Sequence, residues 1–271
     1  MATTSIRHPA VAGQFYPRSP SALAAEIESY LLADARPLPA FGCIAPHAGY
    51  MYSGHVAGAV YSQIDIPSLA ILLCPNHTGL GHPLSIMSEG AWETPLGSVP
   101  VDVDLAAALR SECPLLAEDR NAHRSEHAIE VQLPFLQIRR PDLRIVPIVV
   151  GTGDYGSLEA LGKAASTVIT DTAQPILLIA SSDMNHYEPD AVTRAKDHQA
   201  IDRLLALDAS GLYEVVQNEN ISMCGYGPAI VMLTAARRLG AKSAELIRYA
   251  TSGDVSGDRR MVVGYAGVVV R

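Results

Sequence analysis

Pro175-Ile176-Leu177-Leu178-Ile179-Ala180, followed by Ser181-Ser182-Asp183-Met184-Asn185-His186, is the stretch from which the fold can be read. An apolar run opened by proline and closed by a polar cluster reads as a short buried strand, here one that delivers Asp183 and His186 at its carboxyl end. Two other runs repeat the arrangement. Phe41-Gly42-Cys43-Ile44-Ala45 leads into Pro46-His47-Ala48-Gly49, and Leu69-Ala70-Ile71-Leu72-Leu73-Cys74 leads into Pro75-Asn76-His77-Thr78-Gly79. In an open α/β sheet, ligands bind in the crevice outside the strand carboxyl ends. If these strands are parallel neighbours, two histidines and an Asp-His pair meet in one crevice. That combination suits a metal site or acid–base chemistry.

The intervening sequence supports parallel strands. His77 follows His47 by 30 residues, about one βαβ unit, and Val56, Val60 and Ile64 form the apolar stripe a crossover helix needs. Ser19-Pro20 opens an earlier helix with a hydroxyl at the N-cap and proline at the first helical position. Leu23, Ile27, Tyr30 and Leu31 continue it at helical spacing. Further on, residues 91–101 read as a hairpin or excursion. Residues 103–109, 126–138, 158–169, 191–207 and 228–239 read as helices, and 143–150, 244–250 and 261–270 as strands. The alternation predicts one α/β domain over residues 1–271, with a mixed sheet covered on both faces.

Composition narrows the function. Of 271 residues, 48% are hydrophobic and only 18% charged, which supports a large core and argues against long disordered tails. The net charge is −8 and the basic residues are scattered, with arginine pairs at 139–140 and 259–260, so nucleic acid is not expected as a partner. No apolar stretch approaches the roughly 20 residues that cross a bilayer, and residues 1–9 lack a signal-peptide pattern. No membrane partner is expected, and the expected location is cytoplasmic. The four cysteines have neither zinc-ribbon nor disulfide spacing. Cys43 and Cys74 sit in strand-like runs as small hydrophobes.

His47 and His77 occupy equivalent turns, and imidazole is the commonest metal ligand. Ser181-Ser182-Asp183 could be a helix cap, but a cap leaves His186 unexplained. Asp183 and His186 could instead form an acid–base pair or hold a metal-bound water. Cys224, in Ser222-Met223-Cys224-Gly225-Tyr226-Gly227-Pro228, stands just before a helix, where a thiol pKa is expected to fall. His123-Arg124-Ser125-Glu126-His127 matches the H-x-x-E-H zinc-peptidase pattern. Asn121 and Ser125 suggest a helix only beginning there, so His127, Glu130 and Gln132 are read as supports of the site or as helix-solvating groups. Gly151-Thr152-Gly153-Asp154-Tyr155-Gly156 fits no nucleotide motif. His8, His55, His82 and His198 have no chemical company in the sequence.

Several long motifs, in order, resemble the Memo family, whose bacterial and archaeal members are called AmmeMemoRadiSam system protein B. They run from Arg7-His8-Pro9-Ala10-Val11-Ala12-Gly13-Gln14-Phe15-Tyr16-Pro17 through Ala45-Pro46-His47-Ala48-Gly49-Tyr50-Met51-Tyr52-Ser53-Gly54 and Cys74-Pro75-Asn76-His77-Thr78-Gly79. Glu126-His127-Ala128-Ile129-Glu130-Val131-Gln132-Leu133-Pro134-Phe135-Leu136, Ser181 to Tyr187 and Cys224-Gly225-Tyr226-Gly227-Pro228 complete the set. The resemblance implies a three-layer α/β/α sandwich with a mostly parallel mixed central sheet, similar to the class III extradiol-type dioxygenases.

It also implies a mononuclear metal held by His47, His77 and Cys224, with Asp183 and His186 close by; His127 is added to them here as the expected catalytic set. In that set His186 would be acid or base, Asp183 would orient it or bind a metal-bound water, and His127 would lend support. A soft thiolate favours iron, copper or zinc over hard ions, with iron or copper expected first. Such a thiolate is oxidisable, and fold alone does not confer ring cleavage. The resulting expectation is a metal-dependent oxidoreductase acting on a small molecule of unknown identity. The alternatives are a non-catalytic module that takes a peptide or partner in the same pocket, and a zinc peptidase on His123 and His127. The system name implies association with radical-SAM and AMMECR-type proteins.

Overall fold

The three His- and Asp-bearing runs form strands of one sheet. In the computed structural model, which describes residues 5–271, the long strands are β1 (Gly42–Ala45), β2 (Leu69–Pro75), β3 (Arg144–Val150), β4 (Ile176–Ser181), β5 (Ala244–Thr251) and β6 (Val262–Val270). Residues 1–4, part of the stretch that lacks a signal-peptide pattern, lie outside the described residues. The main helices are α1 (Pro20–Tyr30), α2 (Tyr50–Ser62), α3 (Val103–Glu112), α4 (Leu133–Arg139), α5 (Tyr155–Asp171), α6 (Asp190–Leu205), α7 (Ala209–Asn218) and α8 (Tyr226–Leu239).

Every residue of β1, β2 and β4 is buried, as expected for parallel strands covered on both faces. Their order is β6-β1-β4-β2-β3, continued by the short strands Leu84–Ile86 and Ala117–Glu118. The central four are parallel, with Ala45 beside Ser181, Leu73 beside Ala180 and Pro75 beside Val150. β6 runs antiparallel to β1 and carries β5 antiparallel on its other side. Helix α2 packs on one face against β1, β5 and β6, with α1 and α4 beside it; α5 and α8 pack together, and α8 covers β1, β2 and β4 from the opposite face. This is the expected three-layer α/β sandwich with a mixed sheet. One contiguous apolar core runs from Tyr16 to Val270.

The strand order differs from the expectation of neighbouring His strands. β4 lies between β1 and β2, so the βαβ unit from His47 to His77 skips a place that the chain fills about a hundred residues later. The loop carrying Asp183 therefore emerges between the two histidines.

Local departures have local causes. Residues 126–138 are not one helix: a turn precedes the 3₁₀ segment Glu130–Gln132 and then α4. The Glu126 carboxylate takes the N–H of Ala128, and Pro134 stands in the first turn of α4, where its missing N–H costs nothing. No helix starts at Asp183, because the chain runs into the strand His186–Glu188, paired with the start of β6; the cap reading of Ser181-Ser182-Asp183 is overturned. Helix 191–207 ends at Leu205; Leu207 adopts φ +54 and α7 follows, capped by Asp208. Residues 91–101 do form a hairpin, Ala91–Thr94 with Gly97–Pro100, joined by Ile6–Arg7.

Candidate metal centre

Past the carboxyl ends of β1, β4 and β2 lies a cavity of about 620 Å³. Its polar lining is His47, His77, His127, Asp183, His186, Ser222 and Cys224; Phe15, Tyr187, Val263 and Tyr265 form the apolar side. One donor atom from each of His47, His77 and Cys224 falls within 4.8 Å of the others.

His47 is buried, and its ring is oriented by a neutral relay. Nδ1 lies 2.9 Å from Ser181 Oγ. That hydroxyl donates its one proton to the Ala128 carbonyl at 2.7 Å and accepts from Gln132 Nε2 at 2.8 Å. Nδ1 must then be the donor toward Ser181, and Nε2 carries the lone pair. Nε2 lies 3.2 Å from Cys224 Sγ. Burial holds the imidazole well below its ordinary pKa, and the neighbouring His77, His127 and His186 add to the effect.

His77 is directed by a carboxylate instead. Its backbone N–H and Nδ1–H donate to the two oxygens of Glu126 at 2.6 and 2.9 Å, again leaving Nε2 as a lone pair. Burial alone would lower its pKa, but the hydrogen bond and charge of Glu126 raise it. Glu126 is correspondingly held below the usual carboxylate value: burial opposes ionisation, and His77 and the N–H donors overcome it. A histidine whose second nitrogen donates to a carboxylate or oxygen acceptor is the usual arrangement at metal sites.

Cys224 arrives from the opposite side of β4. Gly225 is required there, since a Cβ would lie 2.4 Å from the Ser181 carbonyl oxygen and from Ser182 Cβ. The thiol pKa is not lowered by α8, contrary to the sequence expectation. Burial raises it well above its ordinary value, the Asp183 carboxylate adds to that, and the first N–H near the helix, on Gly225, is spent on Ser182 Oγ.

Asp183 and His186 share the cavity without bonding to each other. Asp183 accepts the backbone N–H of His47 at 2.8 Å and that of Ala48, and burial still pushes its pKa up to about 7. It orients the His47 loop, not His186. His186 is oriented by Ser222, whose carbonyl accepts Nδ1–H at 2.9 Å and whose hydroxyl accepts the backbone N–H at 2.7 Å. His127 stacks on His77 with ring centroids 4.7 Å apart and has Nδ1 3.4 Å from Glu126 Oε1; burial lowers its pKa.

The zinc-peptidase pair does not assemble. His123 lies on the short helix Asn121–Arg124, fully buried and edge-on to Trp92, while His127 lies in the following turn and faces the cavity. Without a sustained helix the two imidazoles share no face. Glu130 likewise does not reach the cavity; it binds the N-terminal segment, whereas Gln132 does support the site through Ser181.

Two directing residues, Ser181 and Glu126, escaped the sequence reading. Glu126 carried a signal as the acid of H-x-x-E-H, and Ser181 carried one only as part of the cluster that reads as a helix cap.

The sequence pattern described as Memo-like protein matches residues 7–269. The chain belongs to the Memo family. This Memo-family chain is 45% identical to a MEMO1 family protein of Methanothermobacter thermautotrophicus over 96% of its own length and 99% of the relative's. A MEMO1 family protein of Methanopyrus kandleri is 43% identical over 98% and 99% of the two chains. The crystal structure of an uncharacterized protein from Escherichia coli K12 superposes with a TM-score of 0.58, covering 84% of this chain and 98% of that one at 13% identity; this likeness speaks for the fold alone. Among the described residues no helix is long and apolar enough to cross a membrane.

Proposed function

We propose that this Memo-family chain is a metal-dependent oxidoreductase with a mononuclear site of His47, His77 and Cys224, and that iron or copper is its working ion. The observation that carries the reading is the donor set. Two imidazoles have their Nδ1–H groups committed to Ser181 and Glu126, one nitrogen of each lies within 4.8 Å of the other and of the Cys224 sulfur, and His47 Nε2 stands 3.2 Å from that sulfur. Two nitrogens and a soft sulfur suit iron, copper or zinc and not magnesium or calcium. The ion would supply Lewis-acid and one-electron chemistry.

The protein's part is orientation and exclusion of water. Ser181 and Glu126 hold the imidazoles, Asp183 holds the His47 loop, and the Nε2 lone pair of His186 is a proton acceptor on the cavity wall. Phe15, Tyr187, Val263 and Tyr265 supply an apolar side for a small substrate.

The test is elemental analysis of anaerobically purified protein, beside Cys224→Ser and His77→Ala. About one iron or copper per chain is expected, with a large loss of metal in either variant. Oxygen uptake by the loaded protein should vanish in His77→Ala. Stoichiometric metal with no oxygen uptake, together with peptide binding insensitive to chelator, would favour the non-catalytic binding module. Absence of metal in every preparation would reject the centre.

A further inference from the structure

The proton positions around the cavity limit what it can hold. His47 donates to Ser181, His77 to Glu126 and His186 to the Ser222 carbonyl. His47 and His186 therefore spend their one N–H on the protein and keep Nε2 as an acceptor, while a second proton on His77 answers the charge of Glu126. Asp183 is turned to the backbone N–H groups of His47 and Ala48. None of the residues lining the cavity is Lys or Arg, so no fixed cation awaits a phosphate or carboxylate.

A metal ion would answer the lone pairs of His47 and His77, but not that of His186. This ring is firmly held. Its two anchors lie on Ser222, whose own N–H and hydroxyl donate to Asn185 Oδ1 at 3.1 and 3.0 Å. Asn185 is fully buried, and its backbone N–H is fixed by Asp197 at 2.8 Å. Next to His186, Tyr187 adopts φ +60, between two residues paired to β6. A non-glycine residue rarely takes that conformation, and such strain persists where the surroundings impose it. Its exposed ring stands beside that of His186, with centroids 5.6 Å apart.

We propose that the cavity takes an uncharged molecule that donates an O–H or N–H hydrogen bond to His186 Nε2 and lays a ring-sized apolar part against Phe15, Tyr187 and Tyr265. This rests on the cavity being the working site of the proposed function, but not on an ion being present. The polar end of the ligand meets an acceptor that is otherwise unpartnered, and a site built this way rejects an analogue lacking the donor. The cavity volume lies within the ordinary range for small-molecule sites.

The experiment uses the full chain stripped of metal and measures binding of phenol, toluene, benzoate and phenyl phosphate by calorimetry. Phenol should bind at least about tenfold more tightly than toluene, its near-isostere without the donor, and more tightly than either anion. His186→Ala should bring the phenol-to-toluene ratio close to one, and His186→Gln, which keeps an acceptor, should restore part of it. Tighter binding of benzoate or phenyl phosphate, no binding of phenol, or an unchanged ratio in His186→Ala would each overturn the proposal. Because the ion is absent throughout, a negative metal analysis leaves a positive result standing, and a bound metal cannot rescue a negative one.

Discussion

Glu126 and Glu130 are both wholly buried and stand four residues apart in one irregular segment. Glu130 collects its donors from the N-terminal segment: the Arg7 guanidinium, the backbone N–H groups of Ala10 at 2.8 Å and Val11 at 3.0 Å, and the Tyr16 hydroxyl at 2.6 Å. Glu126 instead takes both N–H groups of His77 and that of Ala128. The first carboxylate is a clasp that closes the N-terminal segment over the core and so sets Phe15 against His127. The second leaves the far nitrogen of its partner facing the cavity. Two buried carboxylates of one type thus divide into stability and function according to where the partner's remaining donor atom points.

The largest effect expected from this comparison is on Glu130. Glu130→Ala would leave Arg7 as a buried charge without its partner, and should cost about 3–5 kcal/mol in urea unfolding. Folded protein should keep its metal affinity; a loss there as large as that of a Glu126 variant would break the division. Glu126→Gln should act the other way. Metal affinity should weaken by about 10- to 100-fold, read by competition with a chromophoric chelator, with an unfolding change of only about 1 kcal/mol.

The smallest effect is a pH dependence of the metal-free protein. Glu126 ionises below its usual value of 4.5, so its contribution is complete above that value and is lost as pH falls through the lowered one. His77 keeps its proton above its usual 6.5, so its contribution is complete below that value and is lost as pH rises through the raised one. Stability relative to Glu126→Gln should therefore be greatest between about pH 4.5 and 6.5 and decline on both sides. A flat difference across pH 4 to 8 in thermal melts would show that the pair does not titrate in this way.

His47, His77, Asp183 and His186 could be brought to one crevice from the sequence because each follows an apolar run bounded by proline or glycine, and strand endings are local signals. Cys224 could not be found that way. It precedes a helix and reaches the site only because α8 covers β4 from the far face, so its inclusion came through the resemblance to Memo proteins. Ser181 looked like a cap and Glu126 like a peptidase acid, because each is identified by what it bonds across the sheet and not by its neighbours in the chain. Helix α7 was missed because its start follows a left-handed Leu207, a residue type that gives no sign of such a turn.

Local chemistry thus settled in advance the long strands, most of the long helices and which residue types stand at the strand ends. Strand periodicity and proline or glycine boundaries act over a few residues. The insertion of β4 between β1 and β2, and the choice of nitrogen that carries the proton on each imidazole, were decided by the folded chain. Both depend on partners far apart in sequence: a sheet position left open for a later strand, and acceptors such as Glu126 and Ser181 that exist for a ring only once the backbone has closed around it.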